Sequence, residues 1–223
     1  NGNAITSGTA IIVGTEITVN VTPAVSHNVT GVAINGNTVD NNSKYTVTDR
    51  DVSITATTQI KTFTVTADCS GGVSAESQTV TYGSNAVFNL TVPSGATIKA
   101  NGNIISGTSY TVNNVTANTT VTFTTWYNVT VNAGNSTVGG DANGLYQVGD
   151  TFDFTVADTV SHIVTGVTAN GSSLGTTAGT YKHTVNSATT ISVSTVVVFS
   201  DVLSELFVSA LPPQAVRLST VAH

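Results

Sequence analysis

Few residues of this chain could carry chemistry. It holds four His, one Cys, six Lys and Arg together and twelve Asp and Glu together. His27 and His162 have matching surroundings, Ser26-His27-Asn28-Val29-Thr30-Gly31-Val32 and Ser161-His162-Ile163-Val164-Thr165-Gly166-Val167. A zinc site needs ligands converging at ~2.0–2.3 Å. Two histidines at equivalent places of two strung-out repeats do not converge, and neither has a Cys or carboxylate cluster beside it. Both are read as turn or packing residues. Asp141-Ala142-Asn143-Gly144 has half the form of a calcium loop but lacks the third oxygen ligand and the distal Glu, so it reads as a Gly turn. Cys69 has no neighbouring His or cationic cluster to stabilise a thiolate and reads as a packing residue. Lys61, Lys99 and Lys182 could donate to Lys–Asn isopeptide crosslinks, which need a buried carboxylate alongside. No G-x-S-x-G elbow and no Gly-rich phosphate loop occur. The expectation is a chain that is not an enzyme and binds neither cofactor nor metal.

The elements that would position these residues recur. The stretch Tyr82 to Phe123 contains a Tyr-Gly-Ser turn, an alternating strand, an Asn-Gly turn, a second Gly turn and another alternating strand. The same order follows Val13 and Val148. Ile17/Val19/Val21, Ala86/Phe88/Leu90 and Phe152/Phe154/Val156 take equivalent alternating positions, the period-two pattern of a half-buried strand. Asn35-Gly36, Asn101-Gly102 and Asn170-Gly171 follow in turn. Asn-Gly is the strongest short hairpin signal, because a type I′ turn needs positive φ at both central residues. Tyr45, Tyr110 and Tyr181 open the closing regions, which end in strands marked by Val52/Ile54/Ala56, Val121/Phe123 and Ile191/Val193.

The spacing predicts an all-β chain, a tandem array of three small β-modules over 1–60, 61–126 and 127–198, with a short helical and extended tail over 199–223. The second and third modules open with a leading hairpin that begins at Phe63-Val65-Ala67 and Val129-Val131 and turns at Gly71-Gly72 and Gly139-Gly140. The opening of the chain, residues 1–12, echoes 101–108 and is either the tail of a preceding copy or a shortened first hairpin. Junctions fall at 57–61 and 124–127. Trp126 sits on the second one and is assigned to inter-module packing, with an exposed ligand-stacking platform as the other reading. In the tail, Ser200 suits a helix N-cap, and Val202, Leu203, Leu206, Phe207, Ala210 and Leu211 recur at helical spacing before Pro212-Pro213. Val202, Leu203, Leu206, Phe207 and Leu211 are the predicted partner-docking residues.

Bulk composition narrows the partners. Only 8% of residues are charged, against ~25% in typical soluble domains. A net charge of -6 disfavours phosphate neutralisation, so nucleic acid is not an expected partner. No apolar run reaches the ~18 residues of a membrane span, and no basic segment followed by an apolar core marks a secretory leader.

The residues Phe63-Thr64-Val65-Thr66-Ala67, the run Val80 to Asn85, Asn101-Gly102 and the run Tyr110 to Val121 resemble the divergent InlB B-repeat family. Residues 127–131, Val148-Gly149-Asp150 and Asn170-Gly171 extend that resemblance over residues 13 to 195. It implies a β-rich spacer or adhesion module of bacterial surface or phage structural proteins and supplies no catalytic residues. The expectation is a structural virion component at the virion surface, a phage fibre or decoration protein. Its tail would dock on other subunits of the assembly, and a host surface receptor or glycan is a second expected partner. The alternative is the repeat region of an adhesin on the bacterial cell surface.

Overall fold

The computed structural model describes residues 4–48 and 50–198. Thr and Val alternate through most of them, and β-branched side chains suit a pleated backbone while crowding a helix. The described residues form strands and no helix. In chain order the strands are β1 (Glu16–Val19), β2 (His27–Ile34), β3 (Asn37–Val39), β4 (Ser43–Thr46), β5 (Ile54–Ile60), β6 (Thr62–Ser70), β7 (Gln78–Thr81) and β8 (Ala86–Asn89). Then come β9 (Thr97–Ala100), β10 (Asn103–Ile104), β11 (Ser109–Val112), β12 (Thr119–Asn132), β13 (Thr137–Gly140) and β14 (Gly144–Gln147). The last are β15 (Thr151–Ala157), β16 (His162–Ala169), β17 (Ser172–Gly175), β18 (Gly179–Thr184) and β19 (Thr189–Val197). The chain divides into two compact units. The first takes the residues up to Cys69 with Ser74–Thr91 and Ser106–Phe123; the second takes Ser70–Val73, Val92–Ile105 and the residues from Thr124 onward.

In the first unit β1 and β4 form an antiparallel pair with Ile17 opposite Tyr45. β2 is the centre of a three-stranded sheet between β3 and β5, antiparallel to both. β8 pairs with β11, Phe88 opposite Tyr110. β6 pairs with β7 and with β12, whose residues 119–123 belong to this unit. The alternation read from sequence is the burial pattern: Ile17, Val19, Phe88 and Leu90 are buried. Val19, Val32 and Ile34 make one cluster. Phe88 and Tyr110 both meet the Phe123 ring edge-on, at 5.5 and 5.6 Å, the arrangement that aligns a ring's positive edge with its neighbour's negative face.

In the second unit β15 lies between β13 and β18, and β16 is antiparallel to β17 and β19. β12 is antiparallel to β14 and parallel to β19, Val129 to Asn132 beside Thr189 to Ser192. Phe152, Phe154 and Val156 point into a core shared with Val129, Val167, Val185 and Ile191. Tyr146 stacks on Phe152 at 4.8 Å and Phe154 on Tyr181 at 5.7 Å.

The Asn-Gly turns take the conformation their sequence demands. Asn35 and Gly36 have φ of 50° and 79°, Asn101 and Gly102 48° and 82°, Asn170 and Gly171 49° and 81°, the double positive φ of type I′. The asparagine has a second task. Asn35 donates its N–H to the Ser53 carbonyl, and its side-chain oxygen accepts from the Ser53 N–H. Asn170 does the same with Thr190. Each turn therefore fixes the register of its closing strand, β5 or β19. A bulge recurs as well: the register shifts between Val29 and Gly31 on β2 and between Val164 and Gly166 on β16, one extra residue that bends the strand.

Three features differ from the sequence expectation. Gly139-Gly140 is no turn; both residues lie in β13, opposite Thr155 and Phe154. The chain reverses at residues 133–136 instead, where Gly134 has a φ of 58° and a Cβ would come within 2.9 Å of the Val193 carbonyl oxygen. The junction expected at 124–127 is the interior of β12, which runs unbroken for 14 residues, because nothing in Thr124 to Tyr127 interrupts a pleated backbone. Finally, the closing strands are not alike. Ile191 on β19 is fully buried, whereas Ile54, held at the same register by Asn35, is 47% exposed, and every residue of β5 is exposed.

The Phe88 site gives a direct check on strand register. Phe88→Ala is expected to cost about 3–5 kcal/mol in equilibrium denaturation, from lost burial and the cavity left behind. Val87→Ala, on the opposite and 46% exposed face, should stay within about 0.5 kcal/mol.

Candidate functional site

Trp126 lies on β12 opposite Gln147 of β14 and is half-buried. Its indole N–H donates to Thr124 Oγ1 at 2.8 Å, which fixes the ring along its own strand. Lys99 of β9 holds its ammonium 3.3 Å from the ring centroid, close enough for the cation to feel the ring's negative face. The side chain expected to pack or to stack a ligand thus spends one face on Lys99. The neighbouring Thr125 is fully buried and polar. Its hydroxyl donates to the Ser70 carbonyl at 3.1 Å and accepts from the Val73 N–H at 3.3 Å, pinning the chain on both sides of the Gly71-Gly72 turn. Nothing in the sequence singled out Lys99 as a partner or Thr125 as a pin, since both contacts span long stretches of chain.

The other residues with chemical potential are tied into backbone or surface structure. Ser26 and Ser161 hydroxyls lie 2.9 Å from Nδ1 of His27 and His162, and the far nitrogen of His162 meets the Asn135 side-chain amide at 3.1 Å. Asn143, from the half calcium loop, uses its side-chain oxygen to accept from the Val131 N–H at 3.0 Å. Among the described residues no group of three or more His, Cys, Asp or Glu could hold a metal ion. Cys69 is half-buried on β6. Lys182 sits 3.6 Å from Asp153 on the exposed face of β15 and β18. No described helix is long and apolar enough to cross a membrane. The predicted docking residues Val202, Leu203, Leu206, Phe207 and Leu211 lie outside the described residues.

The largest concavity belongs to the first unit. It is an open groove of about 1540 Å³, bordered by Val13, Ile17, Val19, Val47, Val52 and Ile54. That is well above the ~300–1,000 Å³ of small-molecule pockets. Its wall is β1 on one side and the start of β5 on the other. The segment 4–13 borders it without forming a strand.

Two outcomes test this account. Lys99→Gln should lower stability by about 0.5–1 kcal/mol and shift the emission of Trp126, the chain's one tryptophan, as the ammonium leaves the ring. Burial holds the His183 imidazole below its usual pKa, near ~6.5 in the unfolded chain. The unfolded chain therefore binds that proton more readily, and protonation favours unfolding. Its stabilising contribution is complete above pH ~6.5 and is lost as pH falls through the lowered folded-state value. Melting temperature should drop between pH 7 and 5, and His183→Gln should flatten that slope.

Comparison of the chain with protein-family models, curated proteins and solved structures finds no match.

Proposed function

We propose that this protein is a non-enzymatic structural component of a phage virion, a fibre or decoration protein. Three β-repeat modules of the InlB B-repeat type, over 1–60, 61–126 and 127–198, act as spacers, and the segment 199–223 attaches them to the particle. One observation carries the reading: the same type I′ turn, asparagine clamp and strand bulge recur between β2 and β5 and between β16 and β19. Repetition of a backbone device, with side chains committed to holding it, suits a protein whose product is length and surface. Trp126 contributes to packing where β12 passes from one proposed module to the next. The net charge of -6 supports protein or glycan partners over nucleic acid. In the tail, the apolar stripe of Leu203, Leu206, Phe207 and Leu211 offers about 1.5–3 kcal/mol per buried side chain, so attachment requires most of them covered together.

Two measurements test the proposal. Antibodies raised against residues 4–198 should label purified phage particles in immunogold microscopy, whereas labelling confined to bacterial envelopes would support the adhesin alternative. Deletion of 199–223 should leave the thermal melt of the remaining chain unchanged and remove the protein from assembled particles. Normal occupancy after deletion would place the attachment elsewhere.

A further inference from the structure

We infer that the free edge of β5 is a strand-acceptor site. It would take an extended polypeptide segment with alternating Val or Phe and Thr from a partner chain, paired in parallel. The inference concerns the first unit alone and does not depend on which surface carries the protein.

The argument starts from what the equivalent strand has. β19 is flanked on one side by β16 and on the other by β12, in parallel register from Val129↔Thr189 to Asn132↔Ser192. Val129 is buried there, and Ile191 is fully covered. β5 is set by the same asparagine clamp and the same bulged partner strand, so Ile54 takes the place of Ile191. Among the described residues, however, β5 pairs with β2 alone and is the edge of its sheet. Its sequence, Ile54-Thr55-Ala56-Thr57-Thr58-Gln59-Ile60, has no charge and no proline and is exposed along its whole length. Natural edge strands are normally blunted by charge, proline or brevity. An edge with none of these presents unpaired N–H and C=O groups as a template for pairing.

The groove supplies the side-chain half of the site. Where Val129 fills the second unit beside β19, the first unit has the open groove bordered by Ile17, Val19, Val47 and Ile54. A strand laid along β5 would alternate its side chains, one set into this groove and the other to solvent. An occupant with apolar residues at every second position meets both demands, as β6 and the second half of β12 do elsewhere in the chain. A compact small molecule would leave the backbone edge unpaired.

The probe is a labelled peptide of residues 127–134, which carries Val129 and Val131, titrated into the full chain and followed by fluorescence anisotropy. Saturable 1:1 binding is expected. A peptide with both valines changed to Asp should bind at least tenfold more weakly. Ile54→Asp in the chain should weaken binding at least tenfold without moving the melting temperature, because Ile54 is exposed; Val13→Asp, on the groove's rim and 63% exposed, should do the same. Amide exchange should slow on β5 when the peptide is bound. Equal binding of the two peptides, no binding at millimolar peptide, or binding indifferent to Ile54→Asp would overturn the inference. So would protection on β19 instead of β5, which indicates strand exchange. A concentration-dependent dimer abolished by Ile54→Asp would assign the edge to a second copy and overturn the partner-strand inference as well.

Discussion

A sheet of two or three short strands can bury only one face, and its outermost strand is shielded only when something lies beside it. That constraint governs this chain. β19 satisfies it: β12 supplies the missing neighbour in parallel, Val129 and Ile191 become fully enclosed, and the Phe152–Phe154 core closes over them. β5 meets the same sheet geometry without the neighbour, and its Ile54 remains half in water. At roughly 25 cal/mol per Å² of apolar surface, the difference between those two isoleucines is a substantial part of what a small β-unit has to spare.

The composition follows from a related requirement. With short strands and many turns, a large share of backbone N–H groups falls outside the ladders, and each needs an acceptor when partly buried. Asparagine provides it repeatedly. Asn41 Oδ1 accepts from the Val21 N–H, Asn85 Oδ1 from Asn114, Asn118 Oδ1 from Thr64 and Asn143 Oδ1 from Val131. Thr125 plays the same part inside the second unit. The abundance of Asn and Thr is therefore a structural inventory. It explains how a chain with so few charges satisfies its polar backbone, and why the Asn-rich motifs that look like sites resolve into caps and clamps.

This also explains which parts of the fold were legible. The Asn-Gly turns and the alternating Phe88/Leu90 and Phe152/Phe154 faces are local, since turn type and period two are properties of consecutive residues. The asparagine clamp on Ser53 and Thr190 was not legible, because it joins residues 18 and 20 apart. Gly139-Gly140 misled because a Gly pair is equally compatible with a turn and with a close strand approach. Asn132-Ala133-Gly134-Asn135 carried the better turn chemistry. The bulges had a visible signal in the recurring Val-Thr-Gly-Val, a glycine inside a strand pattern. The unbroken run of β12 through 124–127 was signalled by the lack of any breaker there. For Trp126 the sequence offered a position but no partner; Lys99 comes from a different strand.

The placement of the few charges adds a last argument. Glu16 and Lys44 meet across β1 and β4 at 2.7 Å, and Asp153 and Lys182 stand opposite one another on β15 and β18. Such exposed pairs contribute little stability, but they mark faces that stay in water and discourage wrong pairings of strands. β5 carries no such mark, although among the described residues it is the strand with a whole edge and both faces open. Where the chain keeps a surface solvated it places ions. Where it leaves a bare Ile-Thr strand beside an apolar groove, the surface is built to be covered.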